Sequence, residues 1–342
     1  MTHPADDGFR LPADWAPHSR CWMAWPVRSE AWGEHMGQAR EAVAEIAAAI
    51  ARFEPVTMIA KPTKVAEVSL LTASTVASFS LPQDDSWLRD YGPSFVVSGS
   101  GHVAGVQWHW NAWGGRFTEI DGDAQIPEKV LEKLSMRRYL GPIVFEGSAV
   151  TTDGEGTLIA SERIILDPKR NPGLQRAEAD SILKQQLGAE RVIWISAAIE
   201  GDPAGGRLDT MLCFVKPGVL LVQTTQDKND PNAGAYADTA ERLKGATDAK
   251  GRRLQLVEIE QPRPRQSDEG KRLPLAYTSL YLANGGVIIP AFEAPQDDRA
   301  FAAIAKLFSD RQPVQLLASD IVYGGGGFRA MTLPQPAGLP AG

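Results

Sequence analysis

Five short stretches combine carboxylates, arginines, tryptophans and glycines in patterns that a purely structural segment seldom needs. They are 85–93 (DSWLRDYGP), 108–115 (WHWNAWGG), 145–157 (FEGSAVTTDGEGT), 201–211 (GDPAGGRLDTM) and 323–332 (YGGGGFRAMT). Carboxylates bind planar cations through paired, charge-assisted hydrogen bonds, and tryptophan faces attract cations. Of the five, the tryptophans of 108–115 could form the wall of a pocket for a cationic ligand.

Each stretch also has a plainer interpretation when it is taken alone. The segment 85–93 fits a surface turn with a local Arg89 ion pair, and 108–115 fits a buried aromatic core. Glu146 follows the apolar segment PIVF, a position where loop carboxylates of α/β proteins often face a site. The glycine run in 323–332 could cradle an anion, but no Lys-Ser/Thr follows it, which excludes a P-loop.

The composition excludes several classes of protein. Thirty-five Lys and Arg against 42 Asp and Glu give a net charge of −7, which disfavours non-specific nucleic-acid binding. No apolar run approaches the roughly 20 residues of a membrane span, and residues 1–15 contain no apolar signal core. Cys21 and Cys213 are too few for a disulfide framework or a zinc site. We expect a cytoplasmic protein with a small-molecule ligand, no cofactor, no metal, and no nucleic-acid or membrane partner.

Helical and strand-like segments alternate between Gly- and Pro-rich turns. The pattern predicts helices over 32–53, 63–70, 174–187 and 297–308, and strands over 56–60, 192–195, 219–222, 254–259 and 285–292. No linker or low-complexity stretch divides these elements. The sequence therefore predicts an α/β fold in one domain, 1–342.

Nearly the whole chain resembles the agmatine deiminase family of the guanidine-modifying pentein superfamily. The matching motifs, in order, are 11–26 (LPADWAPHSRCWMAWP), 85–93, 111–115 (NAWGG), 153–157 (DGEGT), 169–172 (KRNP), 213–218 (CFVKPG), 284–292 (NGGVIIPAF), 295–298 (PQDD) and the glycine run. The resemblance implies a pentein α/β propeller with five pseudo-symmetric ββαβ modules around a central pocket. It also suggests a homodimer.

The resemblance further implies a chemistry and a set of site residues. In the family a cysteine thiolate attacks the guanidinium carbon, ammonia leaves, and water hydrolyses the covalent intermediate, while a histidine oriented by a glutamate moves the protons. The substrate-binding carboxylates fall on Asp90 and Asp209, and the glutamate falls on Glu146. The motifs place Asp85, Trp87, Arg89, Trp113, Thr151, Thr210 and Arg329 among the other pocket residues.

Three motifs depart from the family pattern, with Thr210 and Arg329 among the changed positions. The family's His-Val-Asp-Asn reads RLDT here, so Arg207 stands at the histidine position. The terminal Gly-Gly-Gly-Asn-Ile-His-Cys reads GGGGFRA, so Ala330 stands at the nucleophile position. A further family histidine is Thr151. Arginine stays charged at neutral pH and cannot shuttle a proton, so Arg207 does not replace a histidine in kind.

The remaining thiols and histidines offer little replacement chemistry. Cys213 lies in an apolar strand and Cys21 in a scaffold-like stretch, so we expect both to be buried and inert. His109 is the one histidine within the five stretches singled out above, and it fits either packing or a general base.

Three interpretations stay open at this point. In the first, the pocket binds a small molecule with altered chemistry, and Arg207 and Arg329 accommodate an anionic group on the ligand. In the second, Arg207 lies against Glu146 and Asp90, fills the pocket, and makes the protein a non-catalytic scaffold or partner subunit. In the third, the chain is an active agmatine deiminase with an unrecognised nucleophile.

Overall fold

Short strands and helices alternate along residues 2–342, the part of the chain that the computed structural model describes. The strands are β1 (Phe9–Arg10), β2 (His18–Ala24), β3 (Val56–Ala60), β4 (Val76–Ser80), β5 (Ser94–Ser98), β6 (His102–His109), β7 (Arg138–Val144), β8 (Val150–Thr152), β9 (Thr157–Ser161), β10 (Arg191–Ile195), β11 (Leu212–Lys216), β12 (Val219–Thr224), β13 (Gln255–Glu260), β14 (Tyr281–Ala283), β15 (Gly286–Ala291), β16 (Gln312–Leu317), β17 (Thr332–Pro336) and β18 (Leu339–Pro340).

The α-helices are mostly short. They are α1 (Ser29–Trp32), α2 (Met36–Ile50), α3 (Val65–Leu71), α4 (Leu88–Tyr91), α5 (Ala112–Gly115), α6 (Asp121–Lys133), α7 (Glu162–Ile165), α8 (Arg176–Leu187), α9 (Ala233–Lys244), α10 (Asp297–Leu307), α11 (Ser319–Val322) and α12 (Phe328–Met331). Single 3-10 turns occupy Gly33–His35, Pro62–Lys64, Gly147–Ala149 and Leu208–Thr210.

Within residues 2–342 one module occurs five times: two antiparallel strands, a helix, and a third strand parallel to the second. The modules are β5–β6–α6–β7, β8–β9–α8–β10, β11–β12–α9–β13, β14–β15–α10–β16 and β17–β2–α2–β3. A parallel third strand requires a crossover, and the helix supplies it. This confirms the predicted α/β class and its five ββαβ modules.

The two ends of the chain close the ring of modules. The C-terminal strand β17 pairs with the N-terminal strand β2, with Thr332 opposite Met23 and Leu333 opposite Trp22. The terminal strands β1 and β18 both join the β5–β6–β7 sheet, β1 on β5 and β18 on β6. Chain closure is therefore made by strand pairing between distant sequence segments.

The sequence predicts one long helix over 32–53, and this prediction is wrong. The segment 32–53 splits into α1, which begins earlier at Ser29, a 3-10 turn, and α2, which ends at Ile50. Gly33 ends α1 with a positive φ of 51°, a conformation that glycine adopts most easily. The other predicted helices and strands match observed elements to within a few residues at each end.

A short polar turn precedes the first strand of every module. These turns are α4, Gly147–Ala149, Leu208–Thr210, 277–278 and α12. The helix α12 contacts both α4 and the 147–149 turn, which in turn contacts the 208–210 turn. The modules therefore bring five sequence-distant turns to one place.

The apolar core lies between the module helices and the sheets. On α2, the buried face includes Val43, Ile46 and Ile50, and β3 is buried at every residue. Across residues 2–342, no helix combines the length and the apolar character that crossing a bilayer requires.

Candidate active site

Asp90 lies in α4 with an exposed fraction of 2%. Its Oδ1 accepts hydrogen bonds from the backbone N–H of Ser148 (3.0 Å) and from the Ser148 hydroxyl, and its Oδ2 accepts one from the Trp113 indole (2.9 Å). Burial raises the pKa of Asp90, and the Ser148 hydrogen bond and the nearby Arg207 charge limit the rise. Both carboxylate oxygens are therefore already engaged by protein donors.

Glu146 follows β7 and is fully buried. Arg170 forms a bidentate pair with it, with Nε 2.5 Å from Oε1 and Nη2 3.2 Å from Oε2. Nη2 of Arg170 also donates to the Ala204 carbonyl (2.9 Å), and Nη1 donates to Asp167 (2.6 Å). Burial raises the pKa of Glu146 to about 8, against the opposing charge of Arg170. The expected Arg207–Glu146 contact is wrong, because Arg170 holds this carboxylate.

Asp209 lies in the 208–210 turn with an exposed fraction of 2%. Its Oδ2 accepts the Ser279 hydroxyl at 2.5 Å, and its backbone carbonyl accepts the Thr278 hydroxyl at 2.8 Å. Its Oδ1 has no hydrogen-bond partner among the residues that the structure describes. Ala330, on α12, is completely buried and presents only a methyl group.

Arg207 is 3% exposed and pairs with Asp202, not with Glu146 or Asp90. Its Nε donates to Asp202 Oδ1 (2.9 Å), its backbone N–H donates to Oδ2 (2.7 Å), and Nη2 donates to the Gly325 carbonyl. Although burial opposes it, the charges of Asp202, Asp209 and Asp90 raise the pKa of Arg207. Its guanidinium therefore lies in the field of both carboxylates that the resemblance assigns to substrate.

Arg207 is one of the residues that line a small pocket, named here the central pocket. Its lining residues are Ala31, Trp87, Trp113, Arg116, Phe117, Pro203, Ala204, Arg207, Gly324 and Gly325. The free volume is about 10 Å³, roughly the space of one water. An entrance groove of about 900 Å³ shares Ala31, Arg116, Pro203 and Gly325 with it. Arg207 thus leaves almost no room for a second guanidinium.

The loop at Trp113 is strained in a way that aims its indole at Asp90. Ala112 and Trp113 have φ values of 51° and 57°, in the left-handed region that side-chain-bearing residues avoid. The Asn111 side chain holds the loop, accepting from Gly114 N–H (3.0 Å) and donating to the Lys169 carbonyl (3.0 Å). Such strain is typical of positions whose side chain must point in one direction.

Two predicted site residues serve other partners. Asp85 is fully buried and binds Arg28, with Oδ2 2.7 Å from Nε. Burial raises the pKa of Asp85 to about 6, while Arg28 lowers it. Thr210 donates to the Arg207 carbonyl (2.7 Å) and so stabilises the turn. Neither side chain lines the central pocket.

The remaining predicted residues lie in a different cavity. Arg89, Thr151 and Arg329 line a space of about 50 Å³, named here the Arg89–Arg329 cavity, together with Asp14. Arg89 donates to Asp14 Oδ1 (3.0 Å) and Arg329 donates to Oδ2 (2.8 Å). The interpretation of 85–93 as a surface turn is therefore wrong, because Arg89 is buried. The expectation that Arg329 and Arg207 lie in the same pocket is also wrong.

Comparisons with known proteins place this arrangement in a family. A profile described as Porphyromonas-type peptidyl-arginine deiminase matches residues 10–336. The agmatine deiminase of Stutzerimonas stutzeri (strain A1501) is 35% identical, covering 98% of this chain and 97% of its own length. A provisionally named agmatine deiminase of Legionella pneumophila (strain Paris) is 38% identical over 100% of this chain and 99% of its own. The chain belongs to the agmatine deiminase and Porphyromonas-type peptidyl-arginine deiminase family.

The fold agrees with that of solved family structures. The agmatine deiminase of Enterococcus faecalis superposes with a TM-score of 0.94 at 29% identity, covering 98% of each chain. The five-module ring is therefore the fold of this family.

Within the family fold, neither cysteine lines the central pocket. Cys21 and Cys213 are both free and buried in β2 and β11. Burial raises the pKa of Cys213 to about 12 and that of Cys21 further still. His109 is exposed and lines a surface depression beside Arg170, apart from the central pocket. Among residues 2–342 no cluster of three or more His, Cys, Asp or Glu could hold a metal ion.

The glycine run packs against tryptophans. A Cβ on Gly324 would meet the Trp32 ring at 2.5 Å, and one on Gly326 would meet the Trp87 ring at 2.2 Å. The two indoles stack with centroids 5.4 Å apart. The glycines are needed because the backbone crosses the faces of these rings.

Sequence reasoning missed several residues that build this site. Arg170 lies in the family motif 169–172, but no role for it is predicted from the sequence. The available signal was an arginine in a family motif, which could have been matched with the expected glutamate, Glu146. Asp202 lies in the singled-out stretch 201–211, five residues before Arg207. Ser148 lies in the singled-out stretch 145–157, where the sequence shows a hydroxyl that could face the pocket but not its partner. Ser279 carried no signal, because its role depends on which modules meet.

Proposed function

We propose that this chain is a non-catalytic member of the agmatine deiminase family, whose central pocket holds the protein's own Arg207 guanidinium in place of a ligand. The observation that carries the proposal is the position of Arg207, which leaves about 10 Å³ of free volume between Trp87 and Trp113. A substrate guanidinium would need the space that Arg207 takes. The comparison is with the family members that carry the name agmatine deiminase.

The groups present at the centre support the absence of hydrolysis. Covalent guanidine hydrolysis needs a thiolate beside the guanidinium carbon, and Ala330 offers none. It also needs a group that gives and takes a proton near neutral pH, and Arg207 stays protonated. The Cys213 thiol is buried with a pKa of about 12, so the thiolate population at pH 7 is very small.

The internal guanidinium suggests what the protein retains. Asp90 and Asp209 are buried carboxylates, and isolated buried charges are costly. Arg207, paired with Asp202, supplies a permanent positive charge close to both. The fold is thereby stable without a substrate, which fits a scaffold or a partner subunit; a homodimer remains a prediction within this proposal.

The deciding experiment incubates the purified protein with agmatine and follows products by mass. We expect no N-carbamoylputrescine and no ammonia from the natural chain. The double variant Arg207→His/Ala330→Cys restores the two family residues, and we expect measurable conversion from it, with none from Ala330→Cys alone. Conversion by the natural chain would overturn the proposal, and Cys21 and Cys213 would then be the residues to substitute.

A second candidate, a ligand pocket with altered chemistry, is favoured by the entrance groove. The groove has about 900 Å³ and meets the central pocket at Arg116, Pro203 and Gly325. A ligand that displaced Arg207 would raise the melting temperature, and the stabilisation would grow with the logarithm of its concentration over Kd. Stabilisation by agmatine or a guanidino acid would support this candidate against the filled pocket.

A further inference from the structure

The charged side chains that line the Arg89–Arg329 cavity are two arginines and one carboxylate. Arg89 and Arg329 are 9% and 5% exposed, and they share the single carboxylate of Asp14. Within the lining the two guanidiniums face one carboxylate, while Asp209 lies outside the lining but close enough for its charge to act on Arg329. His18 also lines the cavity, but its Nδ1 faces the buried carboxylate of Glu54 at 3.1 Å.

Two hydrogen-bond donors at this cavity have no protein partner. Arg329 uses Nε on Asp14 and Nη2 on the Val150 carbonyl (3.1 Å), while its buried Nη1 has no partner in the described chain. The Thr151 hydroxyl makes no hydrogen bond with any other residue of 2–342, and it lines the same space. A buried, unpaired donor on a charged group is costly, so an acceptor beside it would be stabilising.

The walls of the cavity select among acceptors. Apolar residues form much of the lining, among them Leu11, Pro12, Pro93, Phe95 and Leu333. The volume of about 50 Å³ exceeds that needed by one water. An inorganic anion would lose hydration against these walls without compensation, whereas a carboxylate on a short apolar body satisfies both the arginine and the walls.

We propose that the Arg89–Arg329 cavity binds a short-chain organic carboxylate, with Arg329 Nη1 and the Thr151 hydroxyl as its donors. This site is separate from the central pocket, since Arg207, Trp87 and Trp113 do not line it. It does not depend on the proposed function, because its donors, Arg329 and Thr151, do not line the central pocket.

Binding is measured on the full chain by calorimetry and by the melting temperature. The probes are sodium acetate, propionate and butyrate at constant ionic strength, with the matching neutral amides as controls. We expect the carboxylates to raise the melting temperature and the amides to leave it unchanged. No binding by any of the three carboxylates would overturn the proposal.

Variants then assign the binding to the cavity. We expect Arg329→Met to weaken carboxylate binding by about tenfold or more, the scale of a lost charged hydrogen bond. Asp14→Asn raises the net charge of the cavity and should tighten binding. The matched control is Arg138→Met, which removes the same charge from an exposed pair with Glu128 and should leave binding unchanged.

Two further variants keep the test decisive. If Arg329→Met does not fold, Thr151→Val removes one donor with little change in shape, and binding should weaken several-fold. Arg207→Met alters the central pocket and should leave carboxylate binding intact. Binding that survives Arg329→Met or Thr151→Val, or that is lost in Arg207→Met, would overturn the assignment. Product formation from agmatine would bear on the proposed function and leave this result unchanged.

Discussion

Arg207 is charged although it is buried, and Asp202 balances its charge. The Asp202 carboxylate accepts hydrogen bonds from Nε and from the backbone N–H of Arg207. The Arg207→Met variant removes the guanidinium and leaves Asp202 buried beside two more carboxylates. We expect the free energy of unfolding to fall by about 3–5 kcal/mol, the usual cost of breaking a buried pair. Urea unfolding followed by tryptophan fluorescence measures it.

The control for this variant is Arg138→Met, since Arg138 pairs with Glu128 on the surface. An exposed ion pair of this kind contributes about 1 kcal/mol at most. An equal, small loss in both variants would mean that Arg207 is not needed to balance the central carboxylates.

Asp14 gives the protein an acid-sensitive contact. Burial alone would raise its pKa, but the guanidiniums of Arg329 and Arg89 hold the pKa of Asp14 well below its ordinary value of 3.8. A carboxyl group whose pKa is lower in the folded state stabilises the fold above the unfolded pKa, and that stability is lost as the pH falls. The effect of Asp14 should therefore be full at pH 7 and should decline below about pH 5.

The measurement compares urea unfolding of the natural chain and of Asp14→Asn from pH 7 to pH 3. All other carboxyl groups titrate in both proteins, so the difference between the two curves isolates Asp14. We expect the natural chain to be the more stable at pH 7 and the two to converge on acidification. A gap that stays constant over this range would contradict the ion-pair account.

At the scale of elements, the backbone of the glycine run 324–327 lies directly against the stacked indoles of Trp32 and Trp87. Gly326→Ala would place a methyl group 2.2 Å from the Trp87 ring, and the stack with Trp32 limits how far that ring can move. We expect a loss of about 1–3 kcal/mol in the free energy of unfolding, the range found for overpacked cores. Chemical unfolding measures it.

Gly234, near the start of α9, is the matched control for the alanine substitution. A Cβ there meets no atom within 4 Å. Gly234→Ala should leave stability unchanged or increase it by up to about 1 kcal/mol, because alanine favours the helix. If both variants behaved alike, the glycine run would have no packing role.

Most elements were predictable from the sequence because their signals are local. The apolar periodicity of 174–187 and the run VTMIA need no knowledge of distant residues. The split at Gly33 was missed, since a positive φ leaves no trace in a pattern of apolar residues. The pairing of β17 with β2 links segments some 300 residues apart, and no local pattern encodes it.

The site also has a part that the sequence predicts and a part that it does not. Asp90, Asp209 and Glu146 were found through motifs, yet their partners were not. Arg89 and Asp90 are neighbours in one short helix, but Arg89 lines the Arg89–Arg329 cavity whereas Asp90 binds Trp113 of the central pocket. A sequence cannot show which way consecutive side chains of an isolated helical turn will point.

For the whole molecule, we propose that the ring unfolds as one cooperative domain, because β17 and β2 join its two ends. Tryptophan fluorescence and far-ultraviolet circular dichroism should give coincident urea transitions for the full chain. Deleting 328–342 removes β17 and α12 and should abolish the cooperative transition. Deleting 338–342 removes only β18 and should preserve it. Two separate transitions in the full chain would contradict a single unit.

The terminal strands β1 and β18 lie in the same sheet. Arg10 pairs with Val97, Val97 with Val103, and Val103 with Pro340, so Arg10 and Pro340 lie in one row across three strand spacings, roughly 15 Å. A short flexible linker from Pro340 to Arg10 spans that gap. The five-module ring therefore does not require the chain to start at β1. A circular permutant opened in the exposed loop at 268–271 would form the same five modules in a different order along the chain.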